Sequence, residues 1–198
     1  VHRDLHSFPP RRSSDLSLGR LLITPVIMWL MLTGSFGGAF WLFLIAALSD
    51  ALDGAIAKRF DMVTLLGSYL DPIADKTMLV SVFLVLGKLG HLPLWIVLLV
   101  VSRDALIVGG ALLMWRLGRA IRVKPLLISK LNTVFQIVLA ATVMGPIGLD
   151  FLFDYSTALG VIVDILLVIV AVTTLASGAS YLVSCSRSMN DAEVEGHK

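Results

Sequence analysis

Four carboxylates stand where an apolar chain has least use for them. Asp50 and Asp53, then Asp71 and Asp75, fall inside or at the ends of two otherwise apolar stretches. On membrane-insertion scales each intramembrane carboxylate costs on the order of 2.5–3.5 kcal/mol, so four unpaired ones would cost roughly 10 kcal/mol or more. Something has to offset that. On a helix Asp50, Asp53, Gly54 and Ala57 fall within an arc of about 100°, which sets two acids beside two residues with almost no side chain. Asp71 and Asp75, spaced i and i+4, likewise share a face. A hairpin of the two helices gathers all four acids at one end. The natural product is an oxygen cage for hard divalent cations, Mg²⁺ or Mn²⁺, with two ions feasible if they share a carboxylate. Taken singly, the same residues have plainer readings. Asp71 followed by Pro72 reads as an N-cap and an N1 proline. Asp50 or Asp53 alone reads as an ion-pair partner of Lys58, Arg59 or Lys76, and Gly54 and Ala57 read as helix-packing residues. None of these explains the whole set at once.

The elements that must position this set are membrane helices. Of 198 residues, 57% are hydrophobic and only 15% are charged, with a formal net charge of +2 and a mean hydropathy of +0.90. A soluble domain carries about a quarter charged residues, so the composition excludes a water-soluble globule and a disordered tail. The expected fold is all-α, a polytopic membrane bundle. At roughly 20 residues per span the length allows six spans, near 19–34, 38–58, 71–88, 92–115, 128–145 and 156–184. That leaves no room for a soluble catalytic domain. Short connections force antiparallel neighbours. With both termini cytosolic, Lys58, Arg59, Arg116, Arg119, Arg122, Lys124, Lys130 and Arg187 all fall on the cytosolic side, and the outer loops hold only Lys88. The basic residues thus mark orientation, not a nucleic-acid partner. Trp41, Trp95 and Trp115 fall near span ends and read as interfacial anchors. The single cysteine, Cys185, excludes an internal disulfide framework, and the four scattered histidines exclude a zinc site. Residues 1–16 read as a segment foreign to the rest of the chain, an artificial or assembly scar. Residues 17–185 form the membrane domain, and 186–198 read as a polar, mobile cytosolic tail.

The run Asp50-x-x-Asp53-Gly54-x-x-Ala57-Lys58, eight residues, Gly67, three residues, Asp71, three residues, Asp75 resembles the signature of the CDP-alcohol phosphatidyltransferases, D-x2-D-G-x2-A-R-x8-G-x3-D-x3-D. Every spacing fits, and the resemblance extends from about Arg20 to the sixth span. Lys58 departs from the family's usual arginine, which keeps the charge and loses a bidentate phosphate fork. Arg20 and Pro25 look like the family's R-x4-P, but without the usual polar lead-in before them.

The resemblance implies a metal-dependent transfer of a phosphatidyl group from CDP-diacylglycerol to an alcohol, with release of CMP. It assigns Asp50, Asp53, Asp71 and Asp75 to two Mg²⁺ or Mn²⁺ ions, Asp75 also to general-base work, and Asp53, Gly54, Ala57, Lys58 and Gly67 to the donor's CDP group. It implies a homodimer in a bacterial cytoplasmic membrane, with the site facing the cytosol. For an anionic acceptor, Arg103 in the fourth span and Lys130 at the start of the fifth are candidate ligands; Arg103 paired with Asp164 is the alternative. Ser102-Arg103-Asp104, Ser129-Lys130-Leu131-Asn132-Thr133 and Gln136 look like the bacterial CMP-forming cardiolipin synthase branch, which uses phosphatidylglycerol. A phosphatidylglycerophosphate synthase using glycerol 3-phosphate is the second reading. A cation or proton transporter is the reading from a different class, since intramembrane carboxylates also mark ion pathways; the chain shows neither the internal repeat nor the midplane cluster typical of that class.

Overall fold

The computed structural model describes residues 12–60, 65–116, 127–149 and 157–195, with side chains described for 19, 21–49, 76–110, 128–149 and 158–183. Among these residues the chain is all α, with no strand: α1 (Arg12–Leu32), α2 (Phe36–Phe60), α3 (Leu65–Lys88), α4 (Leu94–Arg116), α5 (Leu127–Gly148) and α6 (Thr157–Glu195). Two of the turns are built the same way. Gly34 and Gly90 have φ of 82° and 79°, the left-handed conformation that glycine adopts without a Cβ penalty. At the first turn the Ser35 N–H reaches back to the Leu30 carbonyl and the Gly34 N–H to that of Met31. His91 and Gly90 do the same with Leu86 and Gly87. These are Schellman closures, and they let α1 reverse into α2, and α3 into α4, within a few residues.

The helices close into a ring. α1 packs on α2 and α3, α2 on α5, α5 on α6, α6 on α4 and α4 on α3, with α3 also approaching α5 across the middle. Among the described residues α2 and α3 make no direct backbone contact, and α1 lies against both. The buried apolar cluster among the described residues lies toward the end that carries the Gly34 and Gly90 turns. There Ile27, Met31, Phe43, Phe83, Leu86, Ile96, Leu139 and Met144 are fully buried, and the Phe36 ring meets His91 edge-on at 5.3 Å.

The distribution of polarity is the reverse of a soluble domain's. Arg103, Asp104, Asn132, Gln136, Thr174 and Ser177 are buried, whereas Leu22, Trp29, Leu94, Leu98, Val168 and Leu175 are at least 61% exposed. Soluble monomers rarely expose contiguous apolar patches beyond a few hundred Å². Among the described residues, Ile128–Gly148 and Ala158–Val183 are long and apolar enough to cross a membrane, and Leu21–Leu32 and Phe36–Ser49 are shorter apolar helices. Trp29, Trp41 and Trp95 are exposed, and all lie near the helix ends beside the two glycine turns. The side chain of Trp115 lies outside the described residues.

The six helices match the expected number and order, with three differences at their ends. α1 begins at Arg12, so it takes in the last part of the segment expected to be foreign; Asp15 in its first turn suits the positive end of the helix dipole. α3 begins at Leu65, six residues before Asp71. The N-cap reading of Asp71 is therefore overturned: Asp71 and Pro72 lie inside a continuous helix, where Pro72 lacks the N–H that would bond the Ser68 carbonyl. α6 runs on to Glu195, so residues 186–195 of the expected mobile tail are helical; no glycine or proline interrupts them before Gly196.

The approach of α2 to α5 rests on two glycines. A Cβ on Gly37 would stand 2.6 Å from the Gly148 carbonyl oxygen, and one on Gly148 would collide with the backbone of Phe36 and Gly37. Backbone cannot yield as a flexible side chain can. We expect Gly37→Ala or Gly148→Ala to destabilise the bundle by about 1–3 kcal/mol, while Gly160→Ala, inside α6 with nothing within 4 Å, should be neutral or stabilise by up to about 1 kcal/mol. Thermal unfolding of the detergent-solubilised protein, followed by loss of the monodisperse elution peak, checks this.

Candidate active site

The helix assignment settles how the motif residues are carried. Asp50, Asp53, Gly54, Ala57 and Lys58 occupy the closing turns of α2, and Gly67, Asp71 and Asp75 the opening turns of α3. Because α3 is already helical at Leu65, Gly67, Asp71 and Asp75 stand at i, i+4 and i+8 of one helix. They share one stripe within an arc of about 80°. α2 ends and α3 begins at the same end of the ring, so both stripes belong to that end. The side chains of all eight residues lie outside the described residues. As a donor set, four carboxylates on two helices suit Mg²⁺ or Mn²⁺, which take oxygen ligands. Among the described side chains no group of three His, Cys, Asp or Glu converges.

Next to Asp75 in the chain, the described residues begin with a buried polar lock. The Lys76 ammonium lies 3.5 Å from Asp104 Oδ1, with the Lys76 side chain 30% exposed and that of Asp104 9%. The same Oδ1 accepts from Arg103 Nη1 at 2.5 Å. The guanidinium then reaches two further helices: Nε and Nη2 donate to Ser177 Oγ of α6 at 3.2 and 2.5 Å, and Nη2 also donates to Ser129 Oγ of α5 at 2.7 Å. One planar fork thus joins α4, α5 and α6, and the carboxylate it holds joins α3. A full charge in an apolar interior persists only when paired and hydrogen-bonded, and here each charged member has such partners. Toward the glycine-turn end, Asn132 Oδ1 accepts from Thr173 and Thr174 of α6 at 2.8 and 2.9 Å. The amide nitrogens of Asn132 and Gln136, both buried, find no hydrogen-bond partner among the described residues.

Two expectations about Arg103 meet this geometry. Its partners are Asp104, Ser129 and Ser177, not Asp164, which is exposed on α6 beside Val161, Ile165 and Val168. Most of its donors are also spent within the protein, which bears on its candidacy as an acceptor ligand. Lys130 is exposed in the first turn of α5, adjacent to Ser129. Lys76 was expected only as a partner for Asp50 or Asp53; its described partner is Asp104 of α4. Ser177, Thr173 and Thr174 were not singled out from the sequence. The available signal was the stripe of small hydroxyl residues at 173, 174 and 177 in the otherwise apolar α6.

Among the described residues the architecture is an all-α ring of apolar helices, with the acid-bearing ends of α2 and α3 at one end and a buried ionic lock on α3, α4, α5 and α6. Comparison with known proteins supplies the class. Residues 13–177 match the CDP-alcohol phosphatidyltransferase family model, and the chain belongs to that family. It is 37% identical over 185 residues to a chloroplastic CDP-diacylglycerol–glycerol-3-phosphate 3-phosphatidyltransferase of Oryza sativa subsp. japonica, covering 84% of this chain and 54% of that protein. It is 31% identical over 185 residues to the CMP-forming cardiolipin synthase of Rattus norvegicus, covering 84% and 58%. It is 39% identical over 98 residues to that of Streptomyces coelicolor, covering 46% of each. The chain spans about half the length of these curated relatives.

The ionic lock predicts an asymmetry between two acids. Asp104→Leu leaves Arg103 and Lys76 without their shared counter-ion and should destabilise the protein by about 3–5 kcal/mol. Asp164→Leu, on an exposed apolar face, should change stability by no more than about 0.5 kcal/mol or raise it. Parallel melting curves of the two variants in one detergent provide the comparison.

Proposed function

We propose that the chain is an integral membrane enzyme of phospholipid biosynthesis, a six-span bundle whose acid-bearing end faces the Lys- and Arg-rich side, the cytosol. It transfers the phosphatidyl group of CDP-diacylglycerol to an alcohol and releases CMP. The observation that carries this reading is the placement of Gly67, Asp71 and Asp75 on one unbroken helix, at the same end of the ring as Asp50 and Asp53, in a chain that belongs to this family. The inverted polarity and the exposed tryptophans near one end support the membrane assignment. A donor with two acyl tails and a nucleotide head needs such a boundary, since its tails stay in lipid while its head meets the charged end.

Asp50, Asp53, Asp71 and Asp75 would hold Mg²⁺ or Mn²⁺, two ions by resemblance, which when bound supply neutralisation of the pyrophosphate charge. Gly54, Ala57 and Gly67 leave room for the nucleotide and pyrophosphate to approach the backbone. Asp53 and Lys58 complete the donor contacts. The acceptor hydroxyl oxygen attacks the phosphatidyl phosphorus, its proton passes to the Asp75 carboxylate, and the bond to the CMP oxygen breaks. A carboxylate is a modest base, so positioning carries much of the rate. By resemblance the enzyme works as a homodimer.

We favour phosphatidylglycerol as acceptor, and hence cardiolipin as product, on the residues around Arg103, Ser129 and Asn132. The 37% identity to a rice protein named for glycerol 3-phosphate supports the second reading, phosphatidylglycerophosphate synthesis. A cationic pocket does not separate two anionic acceptors. Lateral access for a second two-tailed lipid would. The purified protein in lipid should therefore release CMP from CDP-diacylglycerol faster with phosphatidylglycerol than with sn-glycerol 3-phosphate, with cardiolipin identified by mass spectrometry. Phosphatidylglycerophosphate as the sole product would establish the second reading. Metal ions crossing protein-containing liposomes, with no CMP formed from either acceptor, would overturn the enzyme assignment.

A further inference from the structure

Lys76 follows Asp75 directly and is the point at which α3 meets the buried lock of α4, α5 and α6. Beyond Lys76 the helix is held by Met78, Leu79, Val82, Phe83, Val85 and Leu86, all buried and apolar. That packing fixes the helix toward its glycine-turn end, and the described contact nearest Asp75 in the chain is that of Lys76. The Lys76–Asp104 pair, by contrast, is a charge-assisted contact to an acceptor that cannot drift, because the Arg103 fork fixes Asp104 and is itself fixed by Ser129 and Ser177. Arg103 and Asp104 are 4% and 7% exposed.

We infer that Lys76, Asp104 and Arg103 form a positioning tether: the lock holds Lys76, and Lys76 sets the rotation and depth of α3 at Asp71 and Asp75. Arg103 is then an anchor of the aspartate helix, not a ligand for the acceptor. The inference rests on the reading of the four aspartates as a divalent-cation site. It adds positioning residues on α3 and α4, outside the motif itself.

A tether and a simple electrostatic effect differ in sign. Removing a cation beside a carboxylate cage strengthens cation binding through the field, and removing an anion weakens it. Loss of a tether weakens binding in both cases. Residues that orient metal ligands change affinity by about 10–100-fold when substituted. The test measures Mn²⁺ affinity by electron paramagnetic resonance on full-length protein in nanodiscs, without nucleotide, for Lys76→Met, Asp104→Asn and the double variant. Both single variants should bind Mn²⁺ at least about 10-fold more weakly, the double variant no worse than either, and Lys76→Arg should restore most of the affinity. With CDP-diacylglycerol, kcat should fall while the acceptor KM stays within about 3-fold. Lys76→Met leaves the Arg103–Asp104 pair in place, so it tests the tether even where Asp104→Asn fails to fold. Opposite shifts in the two single variants would overturn the tether in favour of a field effect. Unchanged Mn²⁺ affinity with a raised acceptor KM would overturn it in favour of an anion site. A wild type that binds Mn²⁺ but forms no CMP would refute the proposed reaction and leave the tether standing on its affinities. A wild type that binds no Mn²⁺ would refute the cation site and the tether together.

Discussion

A charge among apolar helices must be compensated where it stands, and this constraint organises the molecule. Arg103 and Asp104 are adjacent in one helix and almost fully buried, an arrangement that would be prohibitive without the two serines and the lysine around them. The compensation comes from three other helices, so satisfying one fork also fixes how α3, α4, α5 and α6 sit against each other. The four aspartates pose the same problem at the ends of α2 and α3. In the reading proposed above, a divalent cation and an anionic nucleotide lipid would answer it, since ligand carboxylates and cation neutralise one another.

The rest of the fold serves that end from a distance. Beside the glycine turns the ring is closed by ordinary apolar packing and by the backbone contact of Gly37 with Gly148, with an outer surface of leucine, valine and tryptophan. Apolar packing toward one end and buried polar groups toward the other divide the described bundle. Small residues at a helix contact are common where helices have little hydrophobic reason to associate, and the α2–α5 contact uses them in this way.

Much of this was legible in the sequence. The helix number, their order and the stripes of Asp50, Asp53, Gly54 and Ala57 follow from apolar stretches and helical period alone. The start of α3 was not, because Asp71-Pro72 is a strong local start signal that the longer helix overrides. The end of α6 was hidden for a different reason: apolarity measures what lipid tolerates, while residues 186–195 are polar and still helical. The two serine partners of Arg103 were out of reach as partners. Ser129 and Ser177 are unremarkable residue types, 48 positions apart in the chain, and only packing of α4 against α5 and α6 makes them its hydrogen-bond acceptors.

The central claim is that the four aspartates bind a divalent cation to carry out phosphatidyl transfer, with Asp75 accepting the proton. Release of CMP from CDP-diacylglycerol by the purified protein in lipid, titrated with Mn²⁺ or Mg²⁺ and compared between wild type and Asp75→Asn, tests it most directly. The account predicts no turnover without divalent metal, saturable activation of the wild type, and at least a roughly 100-fold lower rate for a folded Asp75→Asn variant at saturating metal. Near-normal turnover by that variant, or full activity of the wild type in chelator, would contradict it.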